Sequence, residues 1–229
     1  MFVTALSAAA LDTNCYVVAS ARGEECVVID PGVGLADRLQ EHLAEQRLRP
    51  VAVLLTHGHF DHVFSAPEIC ERNGIPVWVH GADRYRLEDP LADLDPQMRA
   101  ALTESFDLAG RWSVPRTTVE FADGEVLEPA GLRVTVVHAP GHTEGSVLLQ
   151  VEGAPEGLRA GSTVFTGDVL FAGSVGRTDL AGGDPVAMAR TLRERVGSLP
   201  GDAVVLPGHG PGSTVARERA TNPFLAELV

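Results

Sequence analysis

The sequence contains no lysine, because all 18 of its basic residues are arginine. This absence excludes Schiff-base chemistry, a catalytic lysine and the phosphate-binding loop that depends on one. Cysteine is also scarce, with three scattered residues that predict neither a disulfide framework nor a cysteine-type zinc site. We expect Cys15, Cys26 and Cys70 to lie in the core as small apolar side chains, in a protein of the reducing cytoplasm.

Long hydrophobic runs and excess positive charge are missing as well. The longest aliphatic run is Val51–Leu55, whereas a membrane-spanning helix needs about 20 apolar residues. The first basic residue is Arg22, so the preceding segment lacks the positive charge of a secretory signal peptide. The net charge of −13 repels phosphate backbones and anionic lipid surfaces. We therefore expect neither a nucleic-acid nor a membrane partner.

The composition is otherwise that of a globular protein, with 45% apolar and 21% charged residues among 229. No linker or low-complexity segment interrupts the chain, and we expect a single domain over residues 1–229. Helical patterns, such as Leu35–Gln46, a segment that Ser65 can cap and one that begins at Asp184, alternate with short apolar strands. This alternation predicts an α/β fold of two or four layers.

Histidine and aspartate recur directly after apolar strands, in four separate loops. In α/β sheets, the loops at the carboxyl ends of strands gather on one side and build the site. Imidazole and carboxylate are the ligands that Zn²⁺, Fe²⁺ and Mn²⁺ prefer. The candidate metal ligands are His57, His59, Asp61, His62, His142, Asp168 and His209.

The spacing within Thr56–His62 allows its residues to reach two different ions. His57 and His59 would diverge by about 200° on a helix, but a turn that leaves a strand can direct both at one ion. Asp61 and His62 come later, on the predicted first helical turn, and can reach a second ion. Three glycines would let the backbone pass close to the cluster without a Cβ clash: Gly58, Gly141 and Gly208.

The other three histidines, His42, His80 and His138, lack such a context, and we expect them to be structural or solvent-facing. Asp30, at the end of a predicted strand, is expected to support a ligand or shape a turn. Arg177 has two interpretations. It could clamp a substrate carboxylate, or it could form an ion pair with Asp179 or a neighbouring acid that shapes its loop.

These motifs together resemble the metallo-β-lactamase superfamily, over nearly the whole chain. The resemblance implies an αβ/βα four-layer sandwich, made of two similar halves, with the metal site at one edge. It also implies that two divalent ions, zinc, iron or manganese, are held by all seven candidate residues. One ion would be held by His57, His59 and His142, and the other by Asp61, His62 and His209. Asp168 would bridge the two ions.

Within the superfamily, a set that includes the bridging aspartate resembles glyoxalase II rather than true β-lactamases. Phe171–Leu180 and Glu218–Leu225 resemble the short bacterial hydrolases of the glyoxalase II type. The Gly-Arg-Thr-Asp stretch that begins at Gly176 also occurs in related persulfide dioxygenases. Larger glyoxalase II enzymes have an aromatic residue where Thr178 stands, so the thiol carrier stays open between glutathione and another thiol.

The resemblance implies a metal-dependent hydrolase that cleaves a small-molecule thioester with a hydroxide shared by the two ions. Asp61 would orient that hydroxide, and Arg177 could contact the substrate. One alternative is a mononuclear iron dioxygenase that acts on a thiol persulfide through His57, His142 and Asp168. Another is a metal-binding module without catalysis. The sequence leaves the oligomeric state open between a monomer and a small homo-oligomer.

Overall fold

The secondary structure comes from a computed structural model, which describes residues 1–226. Its strands are β1 (Phe2–Ser7), β2 (Asn14–Ala19), β3 (Glu25–Ile29), β4 (Arg49–Leu54), β5 (Val77–His80), β6 (Thr118–Phe121), β7 (Val126–Leu127), β8 (Val134–His138), β9 (Val147–Glu152), β10 (Ser162–Gly167), β11 (Leu170–Phe171), β12 (Ser174–Val175), β13 (Val204–Pro207) and β14 (Ser213–Thr214). Its α-helices are α1 (Ala36–Gln46), α2 (Phe60–Val63), α3 (Ala66–Asn73), α4 (Pro96–Ser105), α5 (Pro185–Glu194), α6 (Val215–Thr221) and α7 (Pro223–Ala226).

Two six-stranded sheets carry the fold. The first has the order β1-β2-β3-β4-β5-β6, and its strands are parallel from β3 onward. The second has the order β14-β13-β10-β9-β8-β7, in which only β10 and β13 are parallel neighbours. A short hairpin, β11–β12, stands apart from both sheets.

Nearly continuous apolar runs in the central strands explain why each sheet is buried on both faces, because successive side chains point to opposite faces. In β2, Val18 packs between the two sheets, whereas its neighbour Val17 packs on the outer side with Leu39 of α1 and Ile69 of α3. The first sheet is therefore covered by helices on one face and by the second sheet on the other.

The second sheet is covered in the same way. Leu149 of β9 faces the first sheet, and Leu148 faces outward, against Met188 and Leu192 of α5. The order of layers is helix, sheet, sheet, helix. This arrangement confirms the αβ/βα sandwich that the resemblance implied and decides between the two layer numbers that the residue pattern left open.

Hydrogen bonds tie the two sheets together at one edge, where β4, β10 and β13 end. The Tyr16 hydroxyl of β2 donates to the Pro207 carbonyl, at 2.7 Å, and the Val147 amide of β9 donates to the Thr56 carbonyl, at 2.9 Å. The loops that leave these strands are thereby fixed relative to one another. The predicted ligands lie on these loops and on the loop between β8 and β9.

Two local features differ from the sequence-based prediction. The strand that contains most of the aliphatic run Val51–Leu55, β4, begins before that run, at Arg49, and the pairing of β3 with β4 shifts register between Cys26 and Val27. Pro50 is tolerated at this irregularity, because the pairing there does not require a hydrogen bond from its backbone nitrogen. Ser65 precedes α3, but its hydroxyl donates to the Gly32 carbonyl instead of capping the helix.

No helix within residues 1–226 is long and apolar enough to cross a membrane.

Candidate metal centre

The first group of predicted ligands comes from two loops. His57 and His59 follow β4, and His142 lies between β8 and β9. One possible ligand atom from each of the three lies within 4.8 Å of the others. His57 and His142 are almost fully buried, with 1% and 2% of their surface exposed. This arrangement is the one expected of residues that bind a common ion.

The second group combines the first turn of α2 with the loop after β13. Asp61 and His62 lie in α2, as predicted, and His209 follows β13. The Nε2 atoms of His62 and His209 are each 3.4 Å from Oδ2 of Asp61. One possible ligand atom from each of Asp61, His62 and His209 lies within 4.8 Å of the others, as in the first group.

Asp168 lies between the two groups, directly after β10. Its Oδ2 is 3.5 Å from Nε2 of His142, in the first group, and 3.4 Å from Nε2 of His209, in the second. Its Oδ1 is 3.3 Å from Nε2 of His62. A single carboxylate therefore contacts both groups, which is the geometry of a bridging ligand.

Three of the imidazoles are held by hydrogen bonds at Nδ1, so that Nε2 faces the cluster. His62 donates from Nδ1 to Asp30 at 2.9 Å, His142 to the Arg177 carbonyl at 2.8 Å, and His209 to the Leu11 carbonyl at 3.0 Å. An acceptor at Nδ1 fixes the orientation of the ring and its tautomer, so that Nε2 carries a lone pair whenever the ring is neutral. Each ring therefore presents a nitrogen that can bind a metal ion.

Asp30 supports His62, as the sequence suggested. Its carboxylate accepts from the Thr56 amide at 2.8 Å and from the Thr56 hydroxyl at 2.6 Å, as well as from His62. Its backbone has a φ of +51°, an unusual value for a residue other than glycine. The strained turn after β3 places the Asp30 carboxylate against the Thr56–His62 segment.

Asp83 supports the first group, although no motif in the sequence points to it. Its fully buried carboxylate accepts from the Gly58 amide and the Thr143 hydroxyl, both at 2.7 Å, and from the Gly145 amide at 2.8 Å. It thus joins the loop of His57 and His59 to the loop of His142. A second unpredicted support is Thr13, whose hydroxyl donates to Asp61 at 2.8 Å.

Burial keeps two imidazoles of the first group neutral, those of His57 and His59. Burial and the neighbouring imidazoles lower the pKa of His57 well below its usual value. Burial and His142 lower the pKa of His59 to about 3. Neutral imidazole is the form that binds metal ions, so His57 and His59 can bind a metal ion at neutral pH.

Opposite charges dominate the second group. Burial alone would lower the pKa of His62, but the carboxylates of Asp61 and Asp168 outweigh it and raise that pKa. Burial alone would raise the pKa values of the two carboxyls, but His62 and His209 outweigh it and lower both. The carboxylates are therefore ionised at neutral pH, as metal ligation requires.

Buried polar atoms without partners indicate what the site fits. Within residues 1–226, Nε2 of His57, Nε2 of His62 and Oδ1 of Asp168 are buried and have no hydrogen-bond partner. A Cβ on Gly208 would lie 2.3 Å from Oδ1 of Asp168, so only glycine allows this close approach. A buried polar atom without a partner costs free energy of folding, and these two imidazole nitrogens and one carboxylate oxygen are atoms that bind divalent metal ions.

The remaining sequence-based predictions concern residues outside the cluster. Arg177 reaches the same region, but its guanidinium pairs with Asp179 through two hydrogen bonds of 2.7 Å, the second of its predicted interpretations. Among the other histidines, His42 bonds to Thr4, and the rings of His80 and His138 stack at 4.1 Å. The three cysteines are buried and unpaired, as expected.

Comparison with known proteins identifies the family. The metallo-β-lactamase superfamily model matches residues 8–209. Together with the sandwich fold and the cluster at its edge, this match shows that the chain belongs to the metallo-β-lactamase superfamily. A Mycobacterium tuberculosis protein, Rv2581c, is 41% identical over all of this chain and 99% of its own length. Hydroxyacylglutathione hydrolase GloC of Haemophilus influenzae is 31% identical over 98% of both chains.

Two solved structures extend the comparison. BLEG-1, described as a B3 metallo-β-lactamase, has a TM-score of 0.77 and 35% identity, over 98% of this chain and 99% of that one. TTHA1623, solved in a di-iron-bound form, has a TM-score of 0.76 and 37% identity, over 97% of this chain and 100% of that one. The chain is thus similar to proteins described by different activities and by a two-metal site.

Proposed function

We propose that this protein is a metal-dependent hydrolase of the glyoxalase II type that cleaves a small-molecule thioester. The observation that carries the proposal is the contact of Asp168 with both groups of ligands. The first ion would be held by His57, His59 and His142, and the second by Asp61, His62 and His209. The similarity to GloC and to the di-iron form of TTHA1623 supports both the reaction and the two ions.

Two divalent ions bound there would polarise a carbonyl group and lower the pKa of a water molecule. Asp61 would position the reacting groups, because Thr13 fixes one of its oxygens and the α2 turn fixes its backbone. A thiolate leaves without strong acid assistance, since the pKa of a thiol is about 8.5. The absence of lysine from the chain therefore does not hinder a thioester substrate.

One second candidate has its own support. His57, His142 and Asp168 could form a two-histidine, one-carboxylate set, because Oδ2 of Asp168 is 3.5 Å from Nε2 of His142. That set would suit a mononuclear iron dioxygenase acting on a thiol persulfide. The setting proposed for either enzyme is the cytoplasm, as a monomer or small homo-oligomer without a nucleic-acid or membrane partner.

The test is an activity panel on protein loaded with zinc, iron or manganese. The panel contains a thioester, a thiol persulfide in an oxygen electrode and a β-lactam, which is included because of the similarity to BLEG-1. We expect thioester hydrolysis without oxygen consumption. Oxygen uptake with a persulfide and intact thioesters would overturn the proposal in favour of the dioxygenase, and turnover of the β-lactam alone would overturn it in favour of a lactamase.

Variants separate the proposed ligands from other histidines. Asp61→Ala and His209→Ala are expected to abolish hydrolysis and to lose one ion per chain, because each removes a ligand of the second group. His42→Ala is the matched control, since His42 contacts Thr4 outside the cluster. Loss of metal in the control, or full activity of Asp61→Ala, would contradict the assignment.

A further inference from the structure

A cleft of about 580 Å³ opens over the predicted metal ligands. Its floor contains His59, Asp61, His142, Asp168 and His209. This volume is sufficient for a ligand larger than an acetyl group. The chemistry of the remaining cleft walls therefore bears on which thioester the site accepts.

One wall of the cleft is apolar and is formed by the segment before and within α4. Met98 and Leu102 line it from within α4, where a spacing of four residues places them on one side of the helix, and Leu94 lines it from the segment just before. No residue of α4 is buried, and Met98 is 49% exposed. Leu94 and Leu102 are partly buried against the apolar cluster that contains Phe60 and Phe64, whereas Met98 is left exposed beside the cleft.

The arginines that line the cleft have their charges neutralised by neighbouring acids. Arg86 pairs with Asp93, donates to Glu144 at 2.8 Å and to the Ala181 carbonyl at 3.0 Å, and lies 3.6 Å from Asp83. Three carboxylates therefore surround one guanidinium. An anionic substrate group near Arg86 would meet a net negative environment.

Arg177 is the other arginine of the cleft, and both hydrogen bonds of its pairing go to Asp179. In the part of the chain that the structure describes, no cleft-lining cation lacks an acidic partner. Since the chain has no lysine, an acyl carboxylate that lies along the cleft walls, away from the proposed ions, would find only arginines that are already paired. Desolvating that carboxylate would then cost free energy without a compensating ion pair.

We propose that the cleft selects thioesters with an uncharged, apolar acyl group of several carbons, which packs against Leu94, Met98 and Leu102. This inference rests on the thioester hydrolysis proposed above and names the class of its substrate. The bond that breaks is the acyl carbon–sulfur bond, with water supplying the hydroxyl of the acid product and the proton of the thiol. The apolar wall acts on binding and leaves the reacting atoms to the predicted ligands.

The experiment compares three thioesters of one neutral thiol, N-acetylcysteamine, that carry acetyl, hexanoyl and adipoyl groups. Hexanoyl adds four methylenes to acetyl, and adipoyl has the same six carbons as hexanoyl but carries a carboxylate in place of the terminal methyl group. We expect kcat/KM for hexanoyl to exceed that for each of the others by at least about tenfold, since each methylene removed from water is worth about fourfold.

Two variants of the exposed Met98 test the position of the acyl group. Met98→Ser is expected to lower kcat/KM for hexanoyl at least about fivefold and to change the value for acetyl less than twofold. Met98→Lys is expected to raise the adipoyl-to-hexanoyl ratio at least about fivefold, because it supplies an unpaired cation. The matched control is Leu158→Lys, because Leu158 is 56% exposed and lies outside the cleft lining. This variant should leave the hexanoyl-to-acetyl and adipoyl-to-hexanoyl ratios of kcat/KM unchanged.

The outcomes distinguish the two proposals. If the protein hydrolyses thioesters but prefers acetyl or adipoyl, the selectivity inference is wrong and the thioester function stands. An equal loss on all three substrates in both Met98 variants would also overturn the inference. If no thioester is hydrolysed while another substrate class is, the proposed function fails and the inference falls with it.

Discussion

Two buried carboxylates show how single residues outside the ligand set shape the site. Asp30 holds His62 by its Nδ1, and Asp83 joins the two loops of the first group. Both are among the least exposed acidic residues of the chain, at 2% and 0% exposure. Each accepts at least three hydrogen bonds, which offsets the cost of burying its charge. The predicted ligands are thus oriented by contacts made before any ion binds.

The clustering of the candidate ligands could be predicted from the sequence because each one follows an apolar strand in a short motif. Asp83 and Thr13 could not, because each reaches the cluster from a segment without a comparable pattern. Asp83 lies in a 3₁₀ turn after β5, and its partner Thr143 lies 60 residues later in the sequence. Only the folded chain brings them together.

Proton competition gives a prediction for His209. Burial alone would lower its pKa, but hydrogen bonds to Asp168 and Asp61 outweigh burial and raise the pKa to about 9. A raised pKa means that the protonated ring stabilises the metal-free protein below about pH 6.5, and that this contribution is lost as the pH rises through about 9. A metal ion must displace that proton, so its affinity should rise about tenfold per pH unit between 7 and 9.

Calorimetric titration with Zn²⁺ in two buffers of different ionisation enthalpy measures the protons released at each pH. Release should be large at pH 7 and fall toward pH 9.5, and His209→Ala should release fewer protons than the unchanged chain. His42→Ala should match the unchanged chain. Proton release that is the same at every pH would contradict the stated charge state of the second group.

At the scale of elements, the hairpin β11–β12 links the end of the chain to the metal centre. The Asn222 side chain, after α6, donates to the Ser174 carbonyl at 3.0 Å, and Glu218 of α6 accepts from the Gly173 amide at 2.7 Å. On the opposite side, the Phe171 ring is 5.9 Å from the ring of His209. The motif around Asn222 is thus explained by its support of this hairpin.

Asn222→Ala is expected to weaken the metal centre through the hairpin. The Arg177 carbonyl, just beyond β12, accepts the Nδ1 hydrogen of His142, so a displaced hairpin would release that ring. Metal affinity should fall about 10- to 100-fold, as for other losses of ligand support. Thr221→Ala, one residue earlier, is the control. An Asn222→Ala protein that binds metal as tightly as the control would exclude this support.

Helices and strands with strong local signals could be predicted, and those that depend on distant contacts could not. The cap of α5 is confirmed, because the Asp184 side chain accepts from the Val186 and Ala187 amides. Ser65 has the same capping ability, but its hydroxyl bonds to Gly32, which lies 33 residues away. A local rule fails where a tertiary contact takes the same atom.

For the whole molecule, the alternation of helices and strands predicted the fold class, whereas the number of layers came from the resemblance to a family. Residue patterns show that each strand is buried on both faces, but they do not show whether a helix or a second sheet covers each face. Contacts such as Val18 with Val136 decide that question. The single domain over residues 1–229 stays a prediction from length and composition.

The proposed hydrolysis depends on two ions held at the edge where β4, β10 and β13 end. Its most direct test is a titration of chelator-treated protein with Zn²⁺ or Fe²⁺, in which bound metal and thioester hydrolysis are measured on the same samples. We predict no hydrolysis without metal, and a rise to a plateau at two ions per chain. Full hydrolysis by metal-free protein, or a chain that takes up no metal, would contradict the proposed two-ion hydrolysis.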